Sequence, residues 1–183
     1  SFTASNHREG IKLENGSTLG FTDMNINIEN SSPIDGSVFA AMSGSAISIK
    51  GRDDGEQKLE MKGRKGLEIM NRDSRADITN MEIMIINGSG EYGFYANDWA
   101  EIHAKGSDYK NNEIAIYGYD NGIYSGGIAF VQIENMTLAV TGDQNKNGRG
   151  IVTSGAGRVE VTGRSSGDNK IYLETLYRGV SAE

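Results

Sequence analysis

The chain has 183 residues, a formal net charge of −7 at pH 7, 25 glycines, one proline and no cysteine. The lack of cysteine excludes a disulfide scaffold and a thiolate metal site. The acidic balance, with Lys and Arg dispersed along the chain, argues against nucleic-acid binding, which depends on clustered positive charge. Apolar residues make up 37% of the chain, and no run of them is long enough to span a bilayer.

Short apolar segments recur along almost the whole chain. Residues 1–10 lie outside this pattern, and we expect them to be a ragged start or a cap. From residue 11 to residue 183 an apolar residue, usually just after a glycine, opens a segment about every 28 residues. These openings, which we expect to form one interior column, are Ile11, Val38, Leu67, Phe94, Ile123, Ile151 and Val180.

Two further apolar segments follow each opening. In both of them apolar and polar residues alternate, as in Ile47-Ser48-Ile49 and Leu59-Glu60-Met61. This alternation with a period of two predicts strands that bury one face. The 3.6-residue spacing of an amphipathic helix is not sustained for three turns in any window. Each repeat therefore predicts three short strands.

A strand of four or five residues cannot bury its face alone, but equivalent strands from successive repeats can stack on one another. The handedness of parallel connections favours right-handed winding. The sequence thus predicts an all-β fold, a right-handed, three-sheet parallel β-helix of six to seven coils with about 28 residues per coil. Because the openings continue up to Val180, we expect residues 11–183 to be a β-helix fragment cut from a longer protein.

The corners between the second and third strands alternate in length. Odd coils turn tightly through Asp23-Met24, Asn80-Met81 and Asn135-Met136, whereas even coils have polar loops at 50–58, 105–112 and 162–170. Asp and Asn tolerate the left-handed backbone that such tight turns require. A superperiod of two coils keeps bulky loops apart at a strand spacing of about 4.8 Å.

The segment from Gly122 to Leu138 reads GIYSGGIAFVQIENMTL and carries the pattern Gly-Ile followed by Val-x-Ile-x-Asn-Met-x-Leu. This pattern resembles the parallel β-helix repeats of pectate-lyase-like proteins. The glycine-rich, cysteine-free version here most resembles the passenger of a pertactin-like Gram-negative autotransporter. The resemblance implies secretion through the outer membrane, display on the bacterial cell surface and a role in adhesion or as a stalk. The implied partners are a host glycan or protein, or the same protein on a neighbouring cell.

Residues between the inward positions of the first strands form a row that should face outward. Its members are Phe39, Glu68, Tyr95, Tyr124, Val152 and Ser181. Stacked exposed aromatic and apolar residues suit a sugar ring or a protein partner. We therefore predict ligand or partner contact at Phe39, Tyr95, Tyr124 and Val152. The alternative is that a corner loop or a neighbouring chain covers this row.

Three more aromatic residues, Tyr92, Trp99 and Tyr109, lie between the third and fourth coils. They either form a local cluster with Tyr95 and Tyr117 or fill corners.

A possible calcium loop lies at the corner that follows the third strand of the fifth coil. Asp143, Asn145 and Asn147 place oxygens at alternate positions before Gly148, as in the first half of a calcium loop. The closing bidentate Glu is absent, and Ser154 stands in its place. Asp, Asn and Gly are also what an ordinary corner uses. We therefore expect no cofactor or metal and keep this loop as a weak calcium candidate.

Polysaccharide lyases and hydrolases share the parallel β-helix fold that these repeats resemble. The alternative is therefore that the chain is a fragment of a carbohydrate-active enzyme, a polysaccharide lyase or hydrolase. Glycoside hydrolysis needs two carboxyl groups at one bond. Asp53-Asp54 is the only Asp pair and lies in a corner loop, and neither His7 nor His103 stands in a Gly-His-Gly pattern. We therefore expect no catalytic residue. A groove that combines two or three carboxylates with Arg or Lys would favour the enzyme.

Overall fold

The fold is a parallel β-solenoid of about six turns that repeats about every 28 residues, and the residues that the structure describes contain no helix. A computed structural model describes residues 1–7, 10–30, 36–142, 148–163, 169–174 and 177–183. The predicted all-β parallel β-helix is thus confirmed. No helix of the described residues could cross a membrane.

Each coil contributes one strand to each of three stacks. The first-strand stack contains β2 (Ile11–Leu13), β5 (Ser37–Met42), β8 (Lys65–Met70), β15 (Arg149–Thr153) and β18 (Arg178–Ala182). The second-strand stack contains β3 (Thr18–Thr22), β6 (Ala46–Lys50), β9 (Arg75–Thr79), β11 (Glu101–Lys105), β13 (Phe130–Glu134) and β16 (Arg158–Thr162). The third-strand stack contains β1 (Phe2–His7), β4 (Ile26–Asn30), β7 (Gln57–Lys62), β14 (Met136–Gly142) and β17 (Ile171–Glu174).

Two long strands join the first and third stacks. Strands β10 (Met81–Asn97) and β12 (Asn112–Ser125) run through a corner, so each is a third strand and the first strand of the next coil. By hydrogen bonding, the first and third stacks therefore form one 12-stranded sheet, and the second stack is a separate six-stranded sheet. All the pairings are parallel, because each strand is bonded to its equivalents one coil away.

The core is built from inward-facing apolar columns that run along the solenoid. The main column of the third-strand stack contains Ile26, Leu59, Ile83, Ile114, Leu138 and Ile171. The corresponding column of the first-strand stack contains Ile11, Phe39, Leu67, Phe94, Ile123, Ile151 and Val180. The predicted interior column is therefore confirmed except in the second coil, where Phe39 and not Val38 belongs to it.

The register of the second coil follows from a column of close contacts just before the inward residues. In most coils this position is a glycine. A Cβ added at Gly93, for instance, would lie 2.5 Å from Ile116 Cγ2 and 2.6 Å from the carbonyl oxygen of Gly122. In the second coil Val38 takes this position and lies fully buried against Gly63. Since a shift of one residue turns a strand over, taking the first apolar residue of this segment, Val38, as the inward one selects the wrong residue.

The described corners agree with the predicted alternation of tight turns and long loops, and most of the third long loop, at 162–170, lies outside the described residues. Asp23, Asn80 and Asn135 have φ angles of 55°, 56° and 55°, the left-handed conformation expected for the tight turns. The long loops of the second and fourth coils touch each other, because Asn112 Nδ2 donates a 2.8 Å hydrogen bond to the Gly55 carbonyl. The tight turn between them is hydrogen-bonded to the long loop of the second coil, since Asn80 Nδ2 donates a hydrogen bond to Asp53 Oδ1 at 3.3 Å.

The two ends of the solenoid differ in how their interior is covered. Residues 2–7, expected to be a ragged start or a cap, form β1, which pairs in parallel with β4. The Phe2 ring lies 5.3 Å from the Phe21 ring, which lies 6.2 Å from that of Phe39, so aromatic rings fill this end. At the other end Ile171 and Val180, which continue inward columns, are largely exposed.

Candidate functional site

The outward row of the first-strand stack lies next to the interior column. Its members, from strand to strand, are Lys12, Ala40, Glu68, Tyr95, Tyr124, Val152 and Ser181. Parallel pairing places each member directly above the preceding one, about 4.8 Å away along the solenoid. Five of the six residues predicted for this row are therefore aligned as expected.

The placement of Phe39 in the outward row is wrong. Phe39 is fully buried in the core and pairs with Leu67, and Ala40 takes its place in the row. The physical cause is the register of the second coil, in which Val38 occupies the glycine position.

Val152 does face outward between Tyr124 and Ser181, but it too is fully buried. Of the four residues predicted to contact a ligand, only Tyr95 and Tyr124 are partly exposed. Contact at these two remains a prediction.

Three tyrosines form one aromatic cluster on this outer face, which we call the tyrosine cluster: Tyr92, Tyr95 and Tyr124. The rings of Tyr95 and Tyr124 are stacked, with centroids 5.1 Å apart and an interplanar angle of 8°. Tyr92 lies 4.6 Å from Tyr95 and 5.5 Å from Tyr124, tilted against both. Stacking follows from the register, because Tyr95 and Tyr124 are paired residues of β10 and β12.

The other aromatic residues near the third and fourth coils do not join the tyrosine cluster. Trp99 and Tyr109 are exposed at other corners, and Tyr117 is exposed on the third-strand stack. Of the local cluster considered from the sequence, only the pair Tyr92 and Tyr95 forms. Tyr92 stands three residues before Tyr95 in the same strand, β10, and this proximity is the only signal of its role in the sequence.

The pKa values of two phenols of the tyrosine cluster, Tyr92 and Tyr95, are raised above the ordinary value for tyrosine. Burial, followed by the proximity of Tyr92 and Tyr124, raises the pKa of Tyr95 to about 12. Burial and the adjacent Glu91 carboxylate likewise raise the pKa of Tyr92. At physiological pH Tyr92 and Tyr95 therefore present neutral rings with hydroxyl groups that can donate and accept hydrogen bonds.

A network of charged residues borders the tyrosine cluster. Lys65 Nζ lies 2.9 Å from Glu68 Oε1 and 3.9 Å from Glu91 Oε2. Ser37 Oγ donates to the other Glu68 oxygen, and Arg64 pairs with Glu91. The sequence analysis missed this network because its members, from Ser37 through Lys65 to Glu91, belong to three successive coils.

The residues first considered for catalysis lie apart. Asp53 accepts a hydrogen bond from Asn80 in the long-loop corner. His103 lies on the outer face of the second-strand stack, with Nδ1 3.5 Å from Asp77 Oδ1 and Nε2 3.6 Å from Glu101 Oε2. The side chain of His7 is not among those described.

The calcium candidates Asp143, Asn145 and Asn147 lie outside the described residues. Within the ranges that the structure covers, no group of three or more His, Asp or Glu side chains is arranged to hold a metal ion.

No protein-family description, curated protein or solved structure matches this chain. The resemblance to autotransporter passengers accordingly depends on the repeat pattern of the sequence.

Proposed function

We propose that this chain is an adhesive segment of a β-solenoid protein displayed on the bacterial cell surface, and that it contacts its partner through the tyrosine cluster. The observation that carries the proposal is the stacked, partly exposed group of Tyr92, Tyr95 and Tyr124 on the outer face of the first-strand stack. Tyrosines are enriched at binding hot spots because they combine a large apolar ring with a polar tip.

The charged border supports recognition rather than simple packing. Lys65 and Glu91 are partly exposed beside the rings and Glu68 is buried beneath them, so a ligand that covers the apolar surface would meet one lysine and one carboxylate at its edge. This combination of an aromatic centre and a polar rim is typical of sites that bind hydroxylated sugars or protein surfaces.

The shape of the molecule supports adhesion by many weak contacts. A stack of parallel strands is a rod whose surface positions repeat at a fixed spacing. The long loops of the second and fourth coils also form a continuous ridge through the Asn112 bond to Gly55. When many copies are displayed together, avidity compensates for modest affinity at each site. The resemblance to pertactin-like autotransporter passengers supports export through the outer membrane and display on the surface.

The proposal is tested with an array of glycans and extracellular matrix proteins, probed with the full chain. We expect the variant with both Tyr95→Ala and Tyr124→Ala to bind its partner at least tenfold more weakly, which corresponds to the loss of one hot spot. The matched control is Tyr109→Ala, which removes a tyrosine that is 83% exposed in a long loop and should leave binding unchanged.

Two results of this experiment would contradict adhesion through the tyrosine cluster. Equal binding by the double variant and the parent chain would mean that the partner contacts another surface. Failure of the parent chain to bind any array member, combined with a monomeric sedimentation profile, would favour a stalk that only holds other domains away from the membrane.

A second candidate function is cleavage of a polysaccharide, and one observation favours it. Glu68 and Glu91 share Lys65, so two carboxylates and a lysine lie together beside an aromatic platform. We favour binding because both carboxylates are held in ion pairs, whereas glycoside hydrolysis needs one carboxyl group to donate a proton. Release of reducing ends from array polysaccharides by the parent chain, and its loss in Glu68→Gln, would instead identify an enzyme.

A further inference from the structure

The corners between the first and second strands share one left-handed position in the first four coils. It lies two residues before the second strand and is a glycine in two of these coils. The φ angles there are 74° at Gly16, 78° at Gly44, 64° at Asp73 and 68° at Trp99, whereas in the fifth and sixth coils the left-handed residue, Gly127 or Gly155, lies one position earlier. Glycine is expected here because left-handed angles carry no steric penalty without a Cβ atom.

Trp99 is the exception that packing does not explain. A left-handed conformation is strained for a bulky residue, yet the only tryptophan of the chain stands at this position. Its side chain is 55% exposed, so burial does not offset the strain. In the first and second coils a Cβ at Gly16 or Gly44 would meet no atom within 4 Å, so the corner faces open space. Strain retained at an exposed residue points to a functional contact.

The indole forms one wall of a small cleft whose other walls are polar. The cleft is lined by Asp73, Ser74, Arg75, Trp99 and Glu101. The Arg72 guanidinium lies 5.7 Å from the centre of the indole ring and covers part of it. Arg75 is paired with Asp77 at 2.6 Å. The side chains of Asp73 and Glu101 are about 83% and 49% exposed, which leaves two carboxylates accessible beside the indole.

We propose that this cleft binds a single neutral sugar ring. A pyranose has an apolar face that stacks on an indole and a rim of hydroxyl groups that donate to carboxylates, and the cleft supplies both at one corner. A protein partner fits less well, because a stable interface buries roughly 800 Å² on each side around an apolar centre. In the described part of this corner region, the only other large exposed apolar side chain is Ile128, one coil further on. The charges of Asp73 and Glu101 are balanced by those of Arg72 and Arg75, so the corner offers no excess of positive charge to an anionic ligand.

The site is independent of the tyrosine cluster, and its ligand can be followed separately. Since Trp99 is the only tryptophan, its fluorescence reports on this cleft alone. Titration of the full chain with methyl glycosides of glucose, galactose, mannose and N-acetylglucosamine should give a saturable change with at least one of them. A dissociation constant in the millimolar range is expected for one open aromatic wall. The absence of a saturable change with all four glycosides would overturn the proposal.

Trp99→Gly is the decisive variant, because it removes the indole and supplies the residue that the first and second coils use at this position. We expect glycoside binding, measured by calorimetry, to weaken at least tenfold, while the midpoint of thermal unfolding stays the same or rises by about 2–4 °C. A midpoint that falls in Trp99→Gly would show that the indole packs rather than binds. Glycoside binding that survives the substitution would place the sugar elsewhere.

Two further variants separate stacking from hydrogen bonding. Trp99→Phe should keep weaker binding because a smaller ring remains, and Glu101→Gln should weaken binding several-fold without changing the melting midpoint. Tyr109→Ala, at a different corner, should bind the glycoside as the parent chain does. Loss of array binding in the tyrosine-cluster variant together with an unchanged glycoside titration would leave both proposals standing. Absence of a glycoside response in the parent chain, with array binding as proposed, would overturn only the sugar-binding role of the Trp99 cleft.

Discussion

The central coils and the last coil contain the same kinds of residue in the same columns, but they bury them very differently. Ile114 and Ile171 occupy one inward column of the third-strand stack, yet their exposed fractions are 0% and 52%. Ile123 and Val180 in the first-strand stack differ in the same way. The described strands β17 and β18 are paired only on one side. In a solenoid, therefore, a core residue is stabilised by the coils on both of its sides more than by its own strand.

The largest expected effect comes from shortening the two isoleucines of that column. Ile114→Ala should lower the free energy of unfolding by about 2–5 kcal/mol, because it leaves a cavity between two packed coils. Ile171→Ala should lower it by less than about 1 kcal/mol, since half of that side chain is already exposed. Denaturant unfolding of both variants measures the difference. Equal losses of unfolding free energy in the two variants would mean that the last coil is as well packed as the central coils.

The glycine column provides a second matched pair. A Cβ at Gly122 would lie 2.3 Å from Val140 Cγ1 and 2.7 Å from the Gly150 carbonyl oxygen, whereas the nearest atom to one at Gly179 is Leu173 Cδ1 at 3.6 Å. Gly122→Ala should therefore cost about 1–3 kcal/mol through overpacking, and Gly179→Ala should stay within about 0.5 kcal/mol of the parent. Thermal unfolding of the pair tests this. A tolerated alanine at Gly122 would show that the central coils can move apart.

A smaller effect is expected at a side chain that links two central coils. Tyr119 is buried, and its hydroxyl group donates a 2.7 Å hydrogen bond to the carbonyl oxygen of Gly63, two coils away. Tyr119→Phe should lower the unfolding free energy by about 1 kcal/mol, because a buried acceptor loses its donor. The control is Tyr172→Phe in the last coil, where the ring is largely exposed and no change is expected. Chemical denaturation at neutral pH separates the two results.

The smallest effect concerns alkaline pH. The pKa of Tyr95 is raised to about 12 from an ordinary value of 10.0, chiefly by burial. The folded chain thus keeps this proton where the unfolded chain releases it, so the contribution to stability is complete below pH 10 and declines as the pH rises from 10 towards 12. Unfolding measured across this range should show a shallower decline in Tyr95→Phe. An identical decline in both proteins would mean that Tyr95 is solvated like the exposed tyrosines.

Much of the fold follows from the sequence because one repeat unit is used throughout. Alternating apolar residues fix which side of a strand is buried, and their recurrence fixes which strands stack. The one misplaced register, at Val38 and Phe39, arises where the second coil lacks the glycine that marks the position before the inward residue. A close contact with a neighbouring coil decides that register, and a contact between coils leaves no local pattern.

The candidate sites could be predicted only in part. The pairing of Tyr95 with Tyr124 follows from the repeat length alone, which is why the sequence indicates it. The burial of Val152 and the position of Tyr92 depend on neighbouring chain segments, which the period does not specify. The strain at Trp99 is also hidden in the sequence, because it becomes visible only in the backbone angles of the corner, where the first and second coils have glycine.

The alternation of tight turns and long loops has a consequence for how such a chain can change its length. Asn80 binds Asp53 and Asn135 binds Asp108 through the same amide-to-carboxylate bond, at 3.3 Å and 3.4 Å. The smallest interchangeable module is therefore a pair of coils. Removing one coil would bring two bulky loops into adjacent layers, whereas removing two would rejoin compatible surfaces. Natural and engineered variants of this architecture should accordingly gain or lose their turns in even numbers.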